Sequence, residues 1–583
     1  EGWIYMEKKK VQYAIFVFSI IAVFLAILGY SVRRKLLEEK EIKAEIEKYN
    51  KYVAFYNKES FAILGDFRSY YVDTFTNGKG KLKKLKRVDL LKLNTVRQRL
   101  NLLDEVISKM ETTISEKPEF KNTDNYIAEY LEIIKEEKKL DTEILNYYES
   151  GMYKEDNYGS AIFLHSKFLN ISRKSNEKYG IYVEVMKTLI KSQKEKEIEK
   201  QDDIIRRRKS IIISFFFTLV IIGFINFLSS VSRFDNAVLY AKGIKQFIIL
   251  AVSIIIFIMT ILSGNTIYKI VSKPRFRFFV LMSALLIFGA IAIIPNNNLF
   301  PTINGGKGWV HIGAISIQVP EIFKVPFIIV LAAIFARGKD DNIEIPYKRN
   351  LASVIFYTLI FFTIITFALH DMGTAIHYVM IAAFMIFLSD ISNKALLSLL
   401  GLALSFIPVA LYYTLNFTSD YKRHRVKAFL DGIVYSTYTR EDAYQVYQSL
   451  IAFGTGGILG KGFGNGVQKY NYIPEVETDF AIANFAEETG FIGMFIILFS
   501  FFSLFFLIMG VANNAKNYFS KYLVGGIAGY LITQVIINVG VAIGFIPVFG
   551  IPLPFISSGG SSLLAISVSM GLVIHINNTQ ISK

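Results

Sequence analysis

The sequence predicts an all-α fold: a polytopic membrane protein with about ten core transmembrane helices, one N-terminal anchor helix, and a helical-bundle or coiled-coil extension between anchor and core. Three observations carry that prediction. A mean hydropathy of +0.38 and 52% hydrophobic residues exceed what a soluble domain usually reaches. Beyond position 210, apolar runs long enough to cross a hydrocarbon core follow one another. Residues 31–205, by contrast, are rich in Lys and Glu and hold a single proline, Pro118.

Residues 1–30 form the anchor. The apolar run from Val11 to Tyr30 follows Lys8, Lys9 and Lys10, precedes Arg33, Arg34 and Lys35, and is followed by no small-x-small cleavage site. An uncleaved anchor fits better than a signal peptide. In the charged domain 31–205, Ile42, Ile46, Tyr49, Val53 and Tyr56 recur at spacings of four and three, which puts them on one helical face. Tyr182, Met186 and Leu189 make a similar stripe. Such stripes predict helices packing an apolar seam; a sensor or partner-docking role is the more specific alternative.

The domain 206–583 supplies the spans, at 211–231, 243–263, 276–295, 322–337, 351–369, 371–389, 395–415, 486–510, 521–543 and 561–576. Short-loop positive charge orients them. Arg206–Lys209, the loop at Lys273, Arg275 and Arg277, the loop with Arg337, Lys339, Lys348 and Arg349, and the turn with Lys516 and Lys521 alternate onto one side. That side is expected to be cytoplasmic, with 31–205 on it. Loops 296–321, 416–485 and 544–560 then face outward. The same frame sends the N-terminus outward despite its lysines, a conflict within the charge rule.

Charge and rare residues exclude several classes of function. Lys and Arg outnumber Asp and Glu by 65 to 49, a formal +16. In a membrane chain that excess reads as cationic loops beside anionic lipid rather than nucleic-acid binding. The absence of cysteine removes disulfides, thiolate zinc sites and cysteine nucleophiles, and the six histidines show no metal-ligand spacing. No protein metal site is expected. A divalent cation, Mg or Mn, held with a substrate's phosphates is the one cofactor this leaves open.

The motifs come in a fixed order. Gln318-Val319-Pro320-Glu321 with Lys324 resembles a Gln-Pro-Ser-Glu-x-x-Lys signature, and Asp371-Met372-Gly373-Thr374-Ala375 resembles Asp-Leu-Gly-Thr-Ala. Tyr444-Gln445 and Gln448-Ser449 follow, then glycines 454, 456, 457, 460, 462 and 464, then Pro474-Glu475 and Thr478-Asp479-Phe480. A Pro/Gly/Ser-rich stretch from Gly544 through Pro547, Gly550, Pro552, Pro554, Ser557, Gly559 and Gly560 to Ser561 and Ser562 closes the set. Together they resemble the SEDS family (shape, elongation, division and sporulation proteins), the RodA and FtsW group, over about residues 211–577.

The resemblance implies a peptidoglycan glycosyltransferase that polymerises lipid II at the outer face of the cytoplasmic membrane, beside a class B penicillin-binding protein and other elongation or division proteins. It implies no nucleic-acid partner. Gly308, Glu477 and Ser558 stand where the family commonly has Arg, His and Tyr, which puts substrate contacts at those positions in question.

Glycan polymerisation needs a base for the acceptor hydroxyl and positive charge for the departing lipid pyrophosphate. By resemblance Asp479 is the catalytic carboxylate; helix capping is the competing role. Lys422, Arg423 and Arg425, outward against the positive-inside bias, are candidates to grip pyrophosphate, with headgroup snorkelling as the alternative. Glu321 and Lys324 sit one turn apart, and Asp371 heads another span; ionisable groups at membrane depth often mark a substrate path. Gln445, Ser557 and Ser561 complete the expected substrate-binding set. Glu487 and Glu488 are a further carboxylate pair able to influence a nearby base. A lipid-precursor flippase or transporter, and a scaffold of the elongation or division complex, are the alternative functions.

Overall fold

The computed structural model describes residues 44–56, 62–77, 79–85, 90–271, 273–303, 305–313, 315–337, 339, 347–389, 412, 416, 423, 426–427, 429–430 and 444–581. The chain divides into two units, Glu1–Glu199 and Lys200–Lys583.

In the first unit, a helical stretch over 44–56 precedes α1 (Ala62–Phe75), α2 (Leu90–Ser115), α3 (Lys121–Glu149) and the opening of α4 (Gly159–Val231). Its interior is aromatic: Phe67, Tyr71 and Phe75 from α1 meet Leu93, Met110, Ile127, Ile144, Tyr182 and Met186. The stripe Tyr182, Met186 and Leu189 is buried, as its spacing predicts. The face of the first stretch is different. Lys48, Tyr52 and Phe55 point inward while Ile46 is 43% exposed; Ile42 lies outside the described residues. Lys48 can turn inward because Asp124 (2.8 Å) and the carbonyls of Ile114 and Glu116 (3.2 and 2.7 Å) accept its three protons. A hydropathy pattern scores that lysine as surface, and so misplaces the seam by about one position.

One carboxylate in this unit is not compensated. Arg68 grips Glu137 through two nitrogens at 2.6 Å each. Asp141, one turn further along α3, is fully buried, and neither of its oxygens has a hydrogen-bond partner among the described residues. Burial and the neighbouring Glu137 push its carboxyl well above the usual range, against the opposing pull of Arg68.

The second unit contains the membrane helices. Among the described residues, eight helices are long and apolar enough to cross a bilayer. They are the end of α4, α5 (Asn236–Leu262), α6 (Pro274–Ile293), α7 (Val319–Ala336), α8 (Tyr347–Thr363, continued by a π turn over Ile364–Ala368), α11 (Ala481–Asn513), α12 (Tyr518–Ala542) and α13 (Gly560–Thr579). The shorter apolar α9 (Met372–Leu388) lies between them, and α10 (Tyr444–Gly456) carries the Tyr-Gln motif. Nine of the ten expected spans thus fall on helices; 395–415, apart from Tyr412, lies outside the described residues. α12 is the centre, buried almost throughout, with α7, α9 and α11 packed around it and α13 against α5 and α7.

Besides the π turn, a hairpin and a helix break depart from plain α-helix among the described residues. A hairpin pairs β1 (Trp309–Ile312) with β2 (Ile315–Gln318), setting Trp309 opposite Gln318 just before α7. α11 is broken at Gly490, whose φ of 65° and ψ of −164° leave the helical region. A side chain there would meet the Gly460 nitrogen at 2.3 Å, so glycine is needed for both angle and space.

Candidate active site

A cavity of about 470 Å³ opens within the second unit. One wall is α5, through Lys242, Lys245, Gln246 and Ile249; another is the hairpin and the head of α7, through Trp309, Ser316, Gln318 and Glu321. His370 to Gly373, Glu475, Glu477 to Asp479, and the Pro547 to Ser562 loop complete it. Four stretches that the motifs single out, far apart in sequence, therefore face one space.

The segment Glu477–Asp479 is held by its carbonyls. Ser558 N–H donates to Glu477 O (2.9 Å), Ser557 Oγ to Thr478 O (2.6 Å), and Asn538 Nδ2 to Asp479 O (2.7 Å). Asn538 also reaches Ile551 O (2.7 Å), and Gln534 reaches Pro552 O (2.8 Å) and Ser562 Oγ (3.0 Å), so α12 fixes the whole Pro/Gly/Ser loop. Buried amide side chains that satisfy irregular backbone are what such a loop requires inside a membrane unit. Asp479 is half-buried and lines the cavity. The N-cap of α11 is Phe480, so Asp479 stands before the capping position. Gly550, at φ 70°, lies against it: a Cβ there would sit 3.3 Å from Asp479 Oδ2.

The other expected residues separate into two groups. Glu321, Asp371 and Ser561 line the cavity. Asp371 is also the N-cap of α9, accepting from Thr374 N (3.0 Å), Thr374 Oγ1 (2.8 Å) and Gln318 Nε2 (2.9 Å). Ser561 Oγ accepts from Gln318 N (2.7 Å), joining α13 to the hairpin. Glu321 pairs with the fully buried Lys324, and its second oxygen has no hydrogen-bond partner among the described residues. Lys324, Ser557 and Gln445 are absent from the lining: Lys324 sits beneath Glu321, Ser557 holds Thr478 and the Leu553 N–H, and Gln445 is half-buried on α10. Lys422 and Arg425 lie outside the described residues, Arg423 is half-buried and absent from the lining, while Val426 beside them lines the cavity.

Glu487 and Glu488 serve a different place. Glu487 pairs with Lys461 (2.5 Å) and accepts Gln468 N (2.9 Å); Glu488 pairs with Lys469 (2.9 Å) and accepts Ser229 Oγ (2.5 Å). Both are buried and clamp the glycine-rich stretch onto α11 instead of lining the cavity.

Sequence reasoning missed Lys242, Lys245, Gln246 and His370. The signal for the lysines was present. On the orientation expected from loop charge they stand at the outward end of the second span, against the positive-inside bias, as the 422–427 cluster does.

Fold and cavity together define a polytopic membrane protein with an acidic pocket built from ordered motifs. The chain belongs to the cell cycle protein family FTSW_RODA_SPOVE, whose pattern covers residues 209–581, and this confirms the resemblance read from the motifs. Residues 43–207 match DUF3829, a family of unknown function. The probable peptidoglycan glycosyltransferase FtsW of Coxiella burnetii is 37% identical over 283 residues, 47% of this chain and 72% of that protein. The peptidoglycan glycosyltransferase MrdB of Escherichia coli K12 is 32% identical over 308 residues, 52% and 77% of the two chains. Stage V sporulation protein E of Bacillus subtilis is 32% identical over 351 residues, 59% and 88%. Among solved structures, a chain of a peptidoglycan synthase complex that coordinates polymerization and crosslinking shares the fold. It has a TM-score of 0.50 and 23% identity, with 64% of this chain and 98% of that one covered.

Proposed function

We propose that this chain is a peptidoglycan glycosyltransferase that polymerises lipid II into glycan strands, with Asp479 as the base. Relatives that carry that activity in their names support the reaction. The observation that carries the assignment of the base is the mooring of Asp479. Its carboxylate faces a cavity, while Asn538, Ser557 and Ser558 fix the backbone around it. Pre-set geometry is what a general base needs.

In the step, the acceptor hydroxyl oxygen attacks the donor's anomeric carbon, the bond from that carbon to the pyrophosphate oxygen breaks, and the hydroxyl proton passes to Asp479. The lipid pyrophosphate leaves with the electron pair. Lys245, exposed on the cavity wall, supplies positive charge toward it, and Lys422, Arg423 and Arg425 are the sequence candidates for the same grip. Among the described residues no group of three or more His, Asp or Glu is disposed to hold a metal ion. A divalent cation, Mg or Mn, would be held with the pyrophosphate oxygens.

The multi-pass chain sits in the cytoplasmic membrane with its cavity outward and 31–205 in the cytoplasm, on the reading of short-loop charge. A class B penicillin-binding protein is its crosslinking partner; the name of the structural neighbour, a complex of polymerization and crosslinking, supports this.

The test is polymerisation of purified lipid II by the full chain with that partner. Wild type yields glycan strands, and Asp479→Ala lowers the rate at least about 100-fold with insertion and melting unchanged. A fully active Asp479→Ala removes the base. Translocation of labelled lipid II without polymerisation moves the chain to the transporter class.

A further inference from the structure

Glu477, two residues before Asp479, has its partner on α5. Lys242, on the second turn of α5, pairs with Glu477 Oε1 across the cavity, the two side chains being 34% and 19% exposed. Its ammonium also lies 4.2 Å from the centroid of the Phe234 ring, which holds the lysine over the outer end of α5. Oε2 of Glu477 is buried and has no hydrogen-bond partner among the described residues. The carbonyls of Glu477, Thr478 and Asp479 are all bound from the 551–562 side and α12, so the Glu477 side chain is what ties this segment to α5.

The charge around Asp479 gives that tie a second consequence. The lining carries Glu321 from α7, His370 and Asp371 at the head of α9, Glu475 and Glu477 from its own loop, and Lys242 and Lys245 from α5. Glu321 is balanced by Lys324. A Glu477 without Lys242 would set one more uncompensated negative charge two residues from the proposed base, in a half-buried place where such charges act strongly.

We infer that Lys242 and Glu477 form a positioning pair, a charge-balanced strap that holds Asp479 toward α5 and keeps Glu477 from adding free negative charge beside it. This rests on the glycosyltransferase reading above.

The experiment measures kcat, KM and the pH–rate profile of lipid II polymerisation for wild type, Lys242→Met, Glu477→Gln and the swap Lys242→Glu with Glu477→Lys. Removing the lysine leaves unpaired negative charge and moves the acidic limb of the profile up, by about 0.5 pH unit or more. Glu477→Gln leaves unpaired positive charge and moves it down. Each single change lowers kcat roughly tenfold with KM nearly constant, and the swap recovers most of the loss. Limbs that stay in place, or move together, overturn the proposal. So does a rise in KM without a limb shift, which would make Lys242 a substrate contact.

A wild type that polymerises nothing would sink the glycosyltransferase reading instead. The strap is then read without turnover. The chain has no cysteine, so Ser558→Cys is a single reporter. Its labelling by a membrane-impermeant maleimide should quicken at least threefold when Lys242→Met is added, and an unchanged rate overturns the strap.

Discussion

Asp479 and Gly550 show how one residue's backbone decides another's chemistry. Gly550 occupies the left-handed region at φ 70°, and a side chain there would press on Asp479 Oδ2. Alanine there costs about 1–2 kcal/mol of backbone strain and pushes on the carboxylate from 3.3 Å. Gly550→Ala should thus cut kcat roughly tenfold or more, with melting lowered only slightly; steady-state polymerisation beside a melting curve checks it. The sequence marks both residues as motif members but cannot state their relation, because they lie some seventy positions apart and are brought together by the Asn538 side chain of α12. The same holds for Ser557 and Ser561. Both read as possible sugar or phosphate donors; Ser557 Oγ donates to Thr478 O and accepts from Leu553 N–H, whereas Ser561 Oγ accepts from Gln318 N–H and stays in the cavity lining.

At the scale of elements, hydropathy located the helices well because each needs an apolar surface of bilayer length. It erred where polar residues are hidden by partners. The eighth span was expected from 486, but α11 begins at Ala481 and buries Asn484, Glu487 and Glu488 in its first turns. Those carboxylates are matched by Lys461 and Lys469 from the glycine-rich stretch, a pairing that no periodicity records. Lys469 is fully buried, so Lys469→Met leaves Glu488 charged and unpaired in the interior. The expected destabilisation is about 3–5 kcal/mol, measured as a fall in melting temperature of the purified chain in detergent. Adding Glu488→Gln should recover much of it, since then neither charge remains. The hairpin before α7 and the break at Gly490 were likewise invisible: one is four residues per strand, the other a single glycine whose partner, Gly460, is thirty positions away.

The whole molecule is two units of opposite chemistry, one an aromatic-cored helical bundle and the other a membrane body around α12. The first carries its own pH dependence through Asp141. Its carboxyl titrates higher in the folded unit than in an unfolded chain, so folding holds that proton more tightly. The resulting stability is complete below the ordinary carboxylate range and is lost as pH rises through the raised value. Hydrogen–deuterium exchange of α3, corrected for intrinsic rates, should show weaker protection at pH 8 than at pH 5 in wild type. Asp141→Asn, which cannot ionise, should flatten that difference. A wild-type profile independent of pH would show that water or a partner reaches the carboxylate.

What the sequence determined by itself was the class of molecule and the identity of the family. Bilayer thickness and helix rise act on local composition, and ordered motifs survive without coordinates. What only the tertiary structure decided was which polar residues share a space. Lys242, Glu477 and Asp479 meet in one cavity, while Glu487, Glu488 and Lys469 meet in another place altogether. The physical reason is that buried charge is stable only beside its partner, and the partner stands nearly twenty positions away for Glu488 and over two hundred for Glu477, beyond the reach of any periodicity.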